Sequence, residues 1–177
     1  MRARNIVAVG SIVLFVLNIE NQMLEVYERI SGPHAVEPDI KLSLTHEQRS
    51  RARLKATSTD GREVGLFLEH GNNLKVGEYL STSCGKSVRI DGALETVMSA
   101  SCDDWFLFSR ACYHLGNRHV KLQIAEKILR ISPDHVLKEM LESLGMTVRE
   151  EKAVFIPENG AYYSGKLSSA HSHSHSH

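Results

Sequence analysis

Residues 52–90 are cut into short pieces by turn-forming residues, and this punctuation limits what the chain can fold into more than any other feature. Asp60-Gly61, Gly71-Asn72-Asn73, Gly77 and Gly85 supply residues that accept a left-handed backbone at little cost. A helix of ordinary length does not fit between them. The pieces alternate as strands do: Ala52, Leu54 and Ala56 are interleaved with Arg51, Arg53 and Lys55. Asp60-Gly61 then turns the chain into Val64-Gly-Leu-Phe-Leu68, which predicts a hairpin. Tyr79-Leu80 and Val88-Arg-Ile90 read as further strands, so residues 23–91 are expected to form a β-rich, antiparallel N-terminal domain. The basic face from Arg49 through Lys55 is either a solvated strand face or a surface for an acidic partner.

Beyond a seam near Asp91-Gly92 the period changes. Glu95 to Ser99 reads as a strand, and Asp103-Asp104 can cap a helix at its positive end. Trp105, Phe108, Cys112 and Leu115 then fall on one helical face, with Gly116-Asn117 expected to supply the left-handed stop. Val120 to Ile124 and Ile128 to Ile131 read as two short strands. Ser132-Pro133-Asp134 offers an N-cap, a proline at the first helical position and an acid in the first turn. The helix it opens runs through Leu137, Met140, Leu141 and Leu144 to Gly145. Met146 to Val148 and Ala153 to Ile156 close the order in strand conformation. The expected class is therefore α+β, with residues 92–160 in the β-α-β-β-α-β order of a ferredoxin-like sandwich.

The two ends are unlike the middle. Met1-Arg-Ala-Arg-Asn followed by the apolar run Ile6 to Ile19 imitates a signal peptide, but no small-x-small cleavage site follows. The run is also shorter than the roughly 20 residues a bilayer requires. The favoured expectation is that Met23 is the true start and that residues 1–22 come from an upstream start codon. Residues 161–177 end in His171, His173, His175 and His177 alternating with serines, an expected flexible tail with too little apolar surface to fold. Such a run captures divalent transition metals, unless it is an expression tag.

Composition excludes several classes. Lysine plus arginine and aspartate plus glutamate both number 21, so no global field is available to hold nucleic acid. The three cysteines, Cys84, Cys102 and Cys112, are odd in number and form no C-x-x-C pair, which suits a reducing cytoplasm and argues against a thiolate zinc site. The ten histidines are the anomaly. His119 lies just past the helix stop, where a side chain can project outward. A single imidazole satisfies one position of an ion that takes several donors, so a two-fold dimer with both copies of His119 near the axis would supply the second. A capping or surface role is the competing reading. His135 sits in the first turn of the last helix, where the dipole keeps imidazole neutral and ligand-competent; plain helix-end placement is equally open. His114, between Arg110 and Arg118, reads as a surface residue, and His34, His46 and His70 adjoin turns. An ion held by imidazoles alone is expected to leave below about pH 6, since the ordinary histidine pKa is about 6.5.

The segment from Arg110-Ala-Cys-Tyr-His-Leu-Gly-Asn-Arg-His119 to Ile124 is similar to the UreE family of urease accessory proteins. So are Asp134-His-Val-Leu137 with Met140-Leu141, and Glu158-Asn-Gly-Ala-Tyr162. Upstream, Leu44-Thr-His-Glu-Gln-Arg-Ser-Arg-Ala-Arg-Leu54, Asp60 to Leu68 and Met23 to Ile30 extend the resemblance, which covers essentially everything from Met23 to the tail. It implies a metallochaperone for Ni2+ rather than an enzyme, with Zn2+ and Cu2+ as competitors. It also implies a homodimer with a peptide-binding-like N-terminal domain, and the urease apoprotein and the other accessory proteins, including the GTPase, as partners. His119 matches the family's interface ligand, the tail histidines would be further donors, and His135 matches a peripheral position. Some members carry a second histidine two residues before it, where this chain has Pro133. The alternative is a metal storage or detoxification protein with no urease client; no nucleic acid, no membrane and a cytoplasmic location are expected.

Overall fold

A computed structural model describes residues 23–31 and 37–159. The apolar run 1–22, His34 and the tail histidines His171, His173, His175 and His177 lie outside the described residues. The described chain is a mixed α+β structure of ten strands and three helices arranged on two sheets.

The first sheet holds β1 (Leu24–Ile30), β2 (Ile40–Leu44), β3 (Arg53–Thr57), β4 (Glu63–Phe67), β5 (Tyr79–Thr82) and β6 (Ser87–Gly92), in the order β2-β6-β5-β1-β4-β3. The hairpin expected at Asp60-Gly61 is the β3/β4 pair, with Arg53 opposite Phe67 and Thr57 opposite Glu63. The sheet is not purely antiparallel, however. β1 runs parallel to β4 and β2 parallel to β6. The reason is topological: β1 is inserted between β4 and β5, so it must match one neighbour in direction and oppose the other. Alternate residues supply one core, in which Val26, Leu42, Val64, Leu66, Leu80, Val88 and Ile90 are all completely buried.

The basic stretch is also divided differently from expectation. Arg49 is not on a strand but ends a one-turn helix, α1 (His46–Arg49), and only Arg53 and Lys55 occupy the exposed face of β3. Thr45 starts that helix with a capping box, its side chain accepting from Gln48 N while the Gln48 side chain accepts from Thr45 N.

The second sheet follows at once. Its elements are β7 (Leu94–Ser101), α2 (Trp105–Asn117), β8 (Gln123–Ala125), β9 (Ile128–Ile131), α3 (His135–Ser143) and β10 (Thr147–Val154), in sheet order β10-β7-β9-β8 with antiparallel pairing throughout. Both helices pack on the face that carries Met98, Ala100, Leu129 and Ile131, contributing Phe108, Ala111, Leu115, Leu137 and Leu141. The β-α-β-β-α-β order is present, with four local corrections. β8 is three residues long rather than reaching back to Val120. The two expected closing strands are one, continuous from Thr147 to Val154, because β7 pairs with it along its whole length. Asp134, not Ser132, caps α3, accepting from Val136 N at 2.9 Å and Leu137 N at 3.0 Å, so Pro133 precedes the helix. Trp105 stays 54% exposed; Ala111 takes the buried place, since the period from Phe108 to Leu115 runs through it.

The sheets are joined through a short seam. Ala93 N donates to Leu44 O at 2.9 Å, His46 N donates to Glu95 Oε1 at 2.8 Å, and Arg49 Nη2 donates to Phe155 O at 2.5 Å. Gly92 is required there: a Cβ at this position would lie 2.2 Å from Val154 Cγ1. Replacing Leu115, which is fully buried between α2 and the sheet, with alanine is expected to cost about 2–5 kcal/mol in chemical denaturation. Trp105→Ala, which loses an edge contact with Phe108 and a Lys127 ammonium over its ring, should cost about 1 kcal/mol.

Candidate metal centre

Helix α2 delivers His119, and the way it ends determines where that side chain points. Asp104 opens the helix, accepting from Phe106 N at 2.7 Å and Leu107 N at 3.2 Å. The far end closes with two bonds: His119 N donates to Gly116 O at 2.9 Å and Val120 N donates to Leu115 O at 3.2 Å. That pair is a Schellman stop, in which the residue after the cap takes a left-handed conformation and the next apolar residue packs back on the last turn. Leu115 belongs to the second core and Val120 packs against that same core.

The left-handed residue is not Gly116 or Asn117, as the sequence suggested; both are within α2. It is His119, at φ +54°, one of two non-glycine residues with positive φ among the described residues. A left-handed backbone costs an L-residue roughly 1–2 kcal/mol relative to glycine. Histidine stands where glycine would be cheaper, and with Leu115 and Val120 held in the core its imidazole is left exposed.

The other sequence candidates are scattered. His135 is the first residue of α3 and exposed, beside the Asp134 cap and two residues after Pro133. His114 is half-buried on α2, with its ring edge-on to Tyr113 at 5.5 Å. Among the described residues no three of the His, Cys, Asp and Glu side chains come together as a metal-holding group. The cysteines are free and differ in character: the Thr82 hydroxyl draws the exposed Cys84 thiol below its usual range, while burial pushes Cys112 up. His119 is thus an exposed donor that belongs to no three-ligand group among the described residues, and a complete site there needs further donors.

Sequence reasoning left His46 beside a turn and set Arg49 in a basic strand face, without placing either at the seam. His46 is half-buried at the seam, edge-on to Phe155 at 5.4 Å, with Nε2 unpartnered. Burial, then Lys121 and Arg49, lower its pKa against a weaker pull from Glu95. The signal was present: Thr45 followed three residues later by Gln48 is a capping box, which announces a helix carrying these two side chains.

The outer face of α2 is aromatic along its length. Phe106 is 70% exposed and Tyr113, two turns on, 66%. The Arg110 guanidinium lies 5.8 Å over the Phe106 ring. Exposed aromatic and arginine side chains on one face are the composition of an interface core.

Two family models span the chain. One described as UreE urease accessory protein, N-terminal domain, matches residues 23–93, and one described as UreE urease accessory protein, C-terminal domain, matches residues 95–177. The chain belongs to the UreE family. A urease accessory protein UreE of Marinomonas sp. (strain MWYL1) is 54% identical over 154 residues, covering 86% of this chain and 99% of the relative. Its counterpart in Alteromonas mediterranea is 48% identical over 151 residues, covering 85% and 95%, and that in Psychromonas ingrahamii 44% over 153 residues, covering 86% and 99%. The two UreE models meet where β6 gives way to β7, and the C-terminal one contains both His119 and His135.

His119→Gly should therefore leave the fold intact and raise the unfolding free energy by up to about 1 kcal/mol, the left-handed strain being relieved. Urea denaturation of the two proteins without metal measures it. A large loss of stability would mean that the imidazole has a structural role.

Proposed function

We propose that the chain is a nickel-binding chaperone of urease maturation that acts as a homodimer, with His119 of both copies closing on one ion. The observation that carries this reading is the histidine in the glycine position of the α2 stop, within a segment matched by the UreE C-terminal model. Membership of the UreE family supports the urease client, and the alternative of storage without a client gains no support from it. The exposed Phe106 and Tyr113 give the dimer a surface on the helix that ends at His119, and an isologous contact there is self-complementary.

The chemistry suits a carrier rather than a catalyst. A catalytic metal site keeps three protein ligands and an open position, whereas a carrier's ion can be shared between two copies that each give one imidazole. Imidazoles at a shared surface exchange one at a time, so an ion passes on without being set free. In this reading His171, His173, His175 and His177 are further donors on a tail spanning 161–177, and His135 is a peripheral ligand weakened by Pro133 two positions earlier. Residues 23–91 and 92–160 form the two domains, the second a ferredoxin-like sandwich. The cargo is Ni2+, with Zn2+ and Cu2+ as competitors by ligand preference. The partners are the urease apoprotein and the other accessory proteins, including the GTPase. The compartment is the cytoplasm, in keeping with three free cysteines; no helix among the described residues is long and apolar enough to cross a membrane.

Equilibrium dialysis of His119→Ala against nickel tests the proposal. The tightest site, one ion per dimer, should disappear while weaker tail binding persists. Unchanged high-affinity binding would remove His119 from the centre.

A further inference from the structure

The described surface holds one feature that metal carriage does not use. Beside the seam, a cavity of about 360 Å³ lies between the Asn73–Val76 segment and the chain that follows β10. Arg49 forms part of its wall and is only 4% exposed. Its Nη2 donates to the carbonyl of Phe155, next to Ile156 and Pro157 on the cavity wall, while its Nε has no partner. Glu95, the nearest carboxylate by its effect on Arg49, accepts instead from His46 N.

A buried guanidinium with no ion-paired carboxylate is costly, and here the charge of Glu95 offsets the desolvation only in part. The rest of the lining has the same sign: Lys75 is the other charged residue, Asn73 and Asn159 contribute amides, and no acid is present. At the rim Val76 is 38% and Ile156 48% exposed. A cationic floor, two amides able to hold a peptide backbone, and apolar side chains beside them together describe a recognition site for an acidic residue flanked by apolar ones.

We propose that this cleft binds a glutamate or aspartate side chain presented by an extended segment of another protein, with Arg49 and Lys75 receiving the carboxylate and Val76 and Ile156 its apolar neighbours. The inference does not depend on nickel: it concerns a surface formed by α1, the 73–76 segment and the end of β10, and it stands or falls separately from His119. For a metal carrier, such a cleft would read a partner by its acidic segment.

Nuclear magnetic resonance of the ¹⁵N-labelled full chain tests this with three probes: Ac-Leu-Glu-Leu-NH2, Ac-Leu-Gln-Leu-NH2 and sodium acetate. The glutamate peptide should shift the Arg49 Nε–H resonance and the amides of residues 74–76 in a saturable way. The glutamine peptide should bind about 10-fold more weakly, the loss expected when a charge-assisted hydrogen bond is removed. Lys75→Ala, an exposed position, should weaken the glutamate peptide several-fold with the rest of the spectrum unchanged. Equal response to the two peptides, or none to either, would overturn the proposal. Acetate reproducing the shifts at the same concentration would also overturn it, since the cleft would then read a free carboxylate rather than a protein segment.

Discussion

The Schellman stop at the end of α2 is the constraint on which the arrangement turns. Two backbone bonds, from His119 N to Gly116 O and from Val120 N to Leu115 O, require the residue after the cap to be left-handed. They also return the next residue to the core against Leu115. The chain has one geometry available at that corner, and the side chain on it must point away from the core. A glycine would satisfy the backbone better; in the proposed function the histidine stands there for the ion its exposed imidazole would hold. Local strain, packing and the exposure of the His119 side chain are thus a single event spread over six residues. The β-α-β-β-α-β core exists around it as a rigid mount: Leu115 is completely buried and the Asp104 cap fixes the other end of the helix.

Two kinds of information in the sequence were legible and two were not. Period-2 alternation around Asp60-Gly61 specified the β3/β4 hairpin, because a two-sided pleat and a turn dipeptide are both local. Helix content was legible from the Phe108 to Leu115 and Leu137 to Leu141 spacings. Strand direction was not, since the insertion of β1 between β4 and β5 is decided by contacts far apart in the chain. Extents failed for a related reason: β10 runs unbroken from Thr147 to Val154, although Arg149, Glu150 and Glu151 look like an interruption, because β7 pairs with it throughout.

The place of His119 beyond the helix was legible, but its left-handed backbone was assigned to the neighbouring Gly116-Asn117. Propensity favours those residues, whereas the register of the core against Leu115 and Val120 decides otherwise. Arg49 illustrates the opposite error. It reads as one more cation in a basic run, and only tertiary packing shows it almost wholly buried at the seam, donating to Phe155. Charge in sequence is not charge on the surface.

As proposed, these two sites would divide the molecule's work. An exposed imidazole on a strained corner is suited to accept and release an ion, since among the described residues it belongs to no group that would enclose one. A shielded guanidinium at the seam is suited to selective contact with another protein, because pairing in a desolvated setting discriminates more sharply than a surface charge. The central claim is that the ion is shared by two copies of His119. The most direct measurement is a crystal structure of the nickel-loaded full chain with anomalous data at the nickel edge. One ion bound by His119 from both copies at about 2.0–2.1 Å, an ordinary imidazole distance for a divalent transition metal, is the predicted result. Nickel bound without His119, or by a single copy of it, would contradict the account.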